Sequence, residues 1–230
     1  MPPRSIAAVV LGLVAATAAP GARQNPRTLG TPGRETFTQR VVTADLANPW
    51  EVTWGPDGHL WITERTALRV TRVNPADGTR HVALTLTDVY QSVVQDGLLG
   101  LALHPDLLQR RGRDYVYLAY TYDADPGTAV SRRMRVDRYT FDPATSTLAS
   151  PRLVLDNLPA GDDHGGGRLV IGPDGKLYLS RGDHGANFLR NCCLANRAQD
   201  LPDAGAIAVR TTRSRCSGSC NITQASRSCI

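Results

Sequence analysis

Lysine is nearly missing from this 230-residue chain: Lys176 stands alone, and arginine supplies the other basic side chains. Aromatic residues are sparse at 6%, with three Phe and three Trp. Gly-x-Ser-x-Gly, Gly-x-x-x-x-Gly-Lys and Gly-x-Gly-x-x-Gly are all absent, which removes the esterase elbow, the phosphate loop and the dinucleotide fingerprint. Acidic residues are absent from residues 206–230, where Arg210, Arg213, Arg215 and Arg227 account for +4 of the net +5. The rest of the chain is close to neutral, so its basicity gives no footprint for nucleic acid. Cys216, Cys220 and Cys229 lie in the same stretch, leaving the adjacent pair Cys192-Cys193 in the body. Adjacent cysteines lack the spacing of a zinc pair and rarely close a disulfide with each other, so no metal site is read there.

Long apolar runs are also lacking, apart from Ile6 to Ala16. Arg4 precedes that run and small residues with Pro20 and Gly21 follow it, the pattern of a secretory signal over residues 1–22. The run is too short to span a bilayer, and no later run is apolar enough for a membrane helix. The expectation is an exported chain, periplasmic or secreted, with a linker at 23–36 and no membrane insertion.

What is present is β-structure. Runs such as Leu60–Arg65, Leu68–Val73, Tyr115–Tyr122, Arg135–Phe141 and Leu177–Ser180 are bounded by turn residues, and no segment sustains a 3.6-residue period. Alternation is imperfect: Tyr139 and Phe141 fall on one face of their strand and Val136 on the other. Val52-Thr-Trp-Gly-Pro-Asp-Gly-His-Leu-Trp-Ile62 resembles Leu169-Val-Ile-Gly-Pro-Asp-Gly-Lys-Leu-Tyr-Leu179, and Leu101-Ala-Leu-His-Pro-Asp106 leads into Tyr115-Val-Tyr-Leu118. The unit is a strand, a Pro-Asp turn and an aromatic-bearing strand, with its prolines 49 and 68 residues apart. Repeats near this length predict propeller blades, so the fold class read here is all-β.

Two polar clusters flank the last repeat. Asp162-Asp163-His164-Gly165-Gly166-Gly167-Arg168 precedes its first strand, and Arg181-Gly182-Asp183-His184-Gly185 follows its second. A hairpin brings both to one end of the sheet. A histidine beside an aspartate is a general-base arrangement, because the carboxylate fixes the tautomer and stabilises the imidazolium. On composition alone, a solvated loop with capping aspartates is an equal reading.

Residues 37–203 resemble the soluble pyrroloquinoline-quinone (PQQ) dependent sugar dehydrogenases, the glucose/sorbosone dehydrogenase family. The matching segments are Leu46-Ala-Asn-Pro-Trp50, Trp54-Gly-Pro-Asp-Gly58 with Thr63-Glu-Arg65, and Gln95-Asp-Gly-Leu-Leu-Gly-Leu-Ala-Leu-His-Pro-Asp106. Asp163-His164, Gly167-Arg-Leu-Val-Ile-Gly-Pro-Asp174, Gly182-Asp183 and Asn196-Arg-Ala-Gln199 continue the set. The resemblance implies a six-bladed β-propeller with PQQ and calcium near its axis, oxidising aldose sugars at the anomeric carbon to lactones for an external electron acceptor. It places the catalytic base on His164, assisted by Asp183, with Gln95 and Asp163 lining the sugar side. Phe188 stands where the family carries a glutamine.

The resemblance fades after Leu201-Pro202. The family's later segments, which grip PQQ and calcium, are not found, so the cofactor-binding residues are left unknown. Residues 204–230 read as a non-homologous tail consistent with a shifted reading frame. The expectation is about three blades, truncated and inactive alone. A non-catalytic carbohydrate-binding fragment and a calcium-dependent lactonase on a similar propeller are the alternative functions.

Overall fold

The structure is a computed structural model that describes residues 27–30, 36–92, 95–127, 129–184 and 208–211. The signal segment 1–22, Phe188, Cys192-Cys193, Asn196–Gln199 and the tail cysteines lie outside the described residues. The chain divides into two units, Met1–Val41 and Val42–Ile230. The first contributes an antiparallel hairpin of β1 (Arg27–Gly30) and β2 (Thr36–Gln39), with β1 inside the segment read as a linker.

The second unit holds three antiparallel meanders. β3 (Pro49–Trp54), β4 (Leu60–Glu64), β5 (Arg69–Val73) and β6 (Arg80–Thr85) form the first. β7 (Leu98–Leu103), β8 (Tyr115–Asp123), β9 (Arg132–Asp142) and β10 (Thr147–Pro159) form the second. β11 (Gly166–Ile171), β12 (Lys176–Arg181) and β13 (Ala208–Thr211) form the third. β13 lies within the stretch read as a tail and pairs with β12 from Lys176↔Thr211 to Leu179↔Ala208. The leading strands face one another, with β7 packed against both β3 and β11. This is a partial β-propeller, and no described residue is helical.

The repeated sequence unit is the first hairpin of each blade, and its residues explain why it recurs. Gly55 N–H donates to the His59 carbonyl at 2.8 Å, and Gly172 N–H donates to the Lys176 carbonyl at 2.9 Å. Gly58 and Gly175 close the two turns at φ 73° and 72°, the left-handed region that glycine tolerates. The turn aspartate then holds the next strand's aromatic residue. Trp61 Nε1–H donates to Asp57 Oδ1 at 3.1 Å, and Tyr178 O–H donates to Asp174 Oδ2 at 2.9 Å.

The middle blade is buried on both faces. Val116, Leu118 and Tyr120 of β8 join Trp61, Val70, Leu98 and Phe141 in one core cluster. Tyr117 and Ala119, on the opposite face, join Leu99, Met134, Val136, Leu169 and Leu179 in the other. Each fully buried large apolar side chain contributes roughly 1.5–3 kcal/mol. The outer blades are half-covered: Trp54 is 63% exposed, and Val52 and Val170 are exposed as well.

Close approach of the second and third blades depends on Gly100 in β7. A Cβ there would lie 1.9 Å from the Gly167 carbonyl oxygen and 2.9 Å from the Leu169 nitrogen. Both are main-chain atoms with no rotamer to change. Gly100→Ala is expected to lower the unfolding free energy by about 3 kcal/mol, the upper range for overpacking, read by urea denaturation. A loss below about 0.5 kcal/mol would show that the blades do not meet as described.

Candidate active site

Strand register assembles the site. Gly166 at the start of β11 pairs with Arg181 at the end of β12. The loop before β11 and the loop after β12 therefore leave the sheet side by side. They touch through main chain: Gly182 N–H donates to the Gly165 carbonyl and His184 N–H to the His164 carbonyl, both at 3.4 Å. Gly182 makes this possible, since a Cβ there would stand 1.8 Å from the His164 carbonyl oxygen. His164 itself has φ 46°, a left-handed conformation in which histidine is enriched.

Within this frame His164 Nδ1 lies 3.0 Å from Asp183 Oδ1. An ionised carboxylate only accepts, so Nδ1 carries the proton and Nε2 the lone pair. The imidazole is partly open to solvent at 38% side-chain exposure. Its main-chain N–H donates to Asp163 Oδ1 at 2.9 Å and to Gln95 Oε1 at 3.2 Å. Asp163 is buried, and its Oδ1 is 4.0 Å from His164 Nε2. Gln95 arrives from the segment before β7, where its N–H donates to the Asp162 carbonyl at 2.8 Å. The four residues expected from the sequence thus come together at His164, with Asp183 at the ring, Gln95 at its main-chain N–H and Asp163 near both.

Several neighbours escaped the sequence reading. The Asp162 carbonyl anchors Gln95, and its signal was only membership of the same polar cluster. Arg181 Nη2 donates to the Pro159 carbonyl at 2.5 Å, tying the end of β12 to the end of β10. Arg168 Nη1 donates to Glu51 Oε1 at 3.1 Å, joining β11 to β3 across 117 residues of chain with no local signal. Burial raises the Glu51 carboxyl, and the Arg168 guanidinium opposes that rise.

The donor set around His164 is two carboxylates, an amide and an imidazole. That set suits a polyhydroxylated ligand and proton transfer. It does not suit an anionic tricarboxylate quinone, which needs a cationic cradle; the Arg168 guanidinium is already engaged by Glu51. Among the described residues, no group of three or more His, Cys, Asp or Glu side chains is arranged to hold a metal ion. The residues around His164 therefore offer no cationic cradle for the quinone carboxylates.

The family model for glucose/sorbosone dehydrogenase matches residues 46–215, and the chain belongs to that family. It is 37% identical over 171 residues to quinoprotein glucose dehydrogenase B of Acinetobacter calcoaceticus, covering 73% of this chain and 35% of that protein. The PQQ-bound aldose sugar dehydrogenase of Streptomyces coelicolor superposes with a TM-score of 0.62 at 29% identity, covering 75% of this chain and 47% of that one. The apo-form soluble aldose sugar dehydrogenase of Escherichia coli gives 0.59 at 26% identity, covering 75% and 46%. The chain spans between about a third and a half of these relatives' lengths.

His184 supplies a pH test of the site. Burial, with the Arg181 guanidinium as second cause, pushes its imidazole down to about 4, and Asp183 opposes the shift only in part. The unfolded chain, with His184 near 6.5, binds more protons than the native state between pH 6.5 and 4. Stability from this group is therefore complete above pH 6.5 and lost as pH falls through that window. An NMR titration is expected to find His184 neutral at pH 5; a protonated ring at that pH would contradict the burial described.

Proposed function

We propose that this site removes the proton from the anomeric hydroxyl of an aldose sugar in a PQQ-dependent oxidation to the lactone. The observation that carries this reading is the constellation at His164, whose Nδ1 lies 3.0 Å from Asp183 while Gln95 and Asp163 both bind its main-chain N–H. With Nδ1 holding the proton against Asp183, Nε2 is the base and Asp183 stabilises the imidazolium that forms. Gln95 accepts from the His164 main chain through Oε1, which turns its side-chain N–H groups to the sugar as donors. Asp163 accepts from a neighbouring hydroxyl and fixes the ring's orientation.

Loss of the hydroxyl proton and of a hydride from the anomeric carbon converts the cyclic hemiacetal to a lactone. PQQ, which the Streptomyces coelicolor relative binds, would supply the hydride acceptor when bound, with an external acceptor taking its electrons. Its site, and that of calcium, are proposed to come from residues beyond those described. The signal pattern at residues 1–22 supports action outside the cytoplasm, in the periplasm or as a secreted protein.

The test joins residues 23–203 to the C-terminal blades of a family member and assays PQQ- and calcium-dependent dye reduction with aldoses. His164→Gln is expected to lower kcat by about 10²–10⁴ while leaving the unfolding midpoint in place. Turnover retained in that variant would remove His164 as the base. The 230-residue chain without those blades is expected to show no sugar-dependent reduction; substantial reduction would overturn the assignment of the cofactor site to other residues.

A further inference from the structure

Gln95 reaches His164 from a segment held by a buried ion pair. The Asp96 side chain, fully buried, accepts from Arg132 Nε at 2.8 Å through Oδ2. Its Oδ1 accepts from Ser92 N–H and Ser92 Oγ–H, both at 2.7 Å. The Asp96 carbonyl accepts from Arg65 Nη1 at 2.9 Å. The Arg132 guanidinium also lies over the Tyr90 ring, 5.2 Å from its centroid. Thr121 joins the two ends of the segment: its Oγ1 accepts from Gly97 N–H at 2.7 Å and donates to the Tyr90 carbonyl at 2.7 Å. Strands β8 and β9 thus hold Tyr90 on one side and Asp96 and Gly97 on the other, through Thr121 and Arg132.

We propose that the Asp96–Arg132 ion pair is a positioning device that fixes Gln95 against the His164 main chain and so shapes one wall of the site without touching the substrate. Desolvating both charges makes such a pair a poor source of net stability compared with apolar packing. Its effect is directional: the carboxylate orders Ser92 with one oxygen and takes Arg132 with the other, leaving the adjacent residue a narrow range of orientations. Arg132 and Asp96 are 36 residues apart, and no motif unites them. The proposal rests on Gln95 and His164 belonging to one site, not on the reaction performed there.

Hydrogen exchange, read residue by residue by NMR on the 230-residue chain, tests it. In Asp96→Asn and in Arg132→Gln the amides of Gln95 and His164 are expected to exchange about tenfold faster, equivalent to about 1.4 kcal/mol of local opening. The amides of Leu118, Val136 and Leu179 are expected to stay within about twofold of the parent. Unchanged exchange at Gln95 and His164, or acceleration shared equally with the strands, overturns the proposal. The readout needs neither sugar nor quinone, so failure of the dehydrogenase reading leaves it standing. Unmoved exchange, with the dehydrogenase assay of the joined chain positive, would reject the positioning role alone.

Discussion

His164 presents Nδ1 to Asp183 at 3.0 Å, and that contact decides what the rest of the site can do. A neutral imidazole has one donor and one acceptor. Giving the donor to a carboxylate leaves the lone pair on Nε2 and sets a counter-charge beside the cation that proton uptake would form. The loop main chain serves the same end. Asp163 and Gln95 both accept from the His164 N–H, which holds the left-handed turn that carries the ring.

Blade architecture makes this contact possible. β11 and β12 are one hairpin, so residues before the first strand and after the second emerge together. Gly182 lets the two loops come into main-chain contact, and Gly100 lets the third blade approach the second. The Gln95 segment belongs to the second blade, so two adjacent blades furnish the site. Their relative placement is set by the apolar layer of Leu99, Met134, Val136, Leu169 and Leu179. Packing in that layer therefore bears on the geometry at His164 as well as on stability.

Much of this was legible in the sequence. The Pro-Asp turn followed by an aromatic strand marks the leading hairpin of the first and third blades, where its aspartate holds the aromatic residue four positions on, as Asp57 does Trp61 and Asp174 does Tyr178. The polar clusters bracketing the third hairpin placed His164 and Asp183 at one end of the sheet, while their roles came from family resemblance. Imperfect alternation in β9 looked like a weak strand signal, but it reflects burial on both faces, with Val136 and Met134 in one core and Tyr139 and Phe141 in the other. Gln95, 69 residues from His164, came from family resemblance and not from spacing. The Asp96–Arg132 and Glu51–Arg168 pairs were not legible, because each joins segments far apart in the chain through single side chains.

The central claim is that Asp183 fixes the proton of His164 on Nδ1. Long-range ¹H–¹⁵N correlation of the imidazole, recorded on the neutral ring, reads this directly. The account predicts a protonated Nδ1 and an unprotonated Nε2, with Asp183→Asn disturbing that preference. A neutral His164 carrying its proton on Nε2 would contradict it.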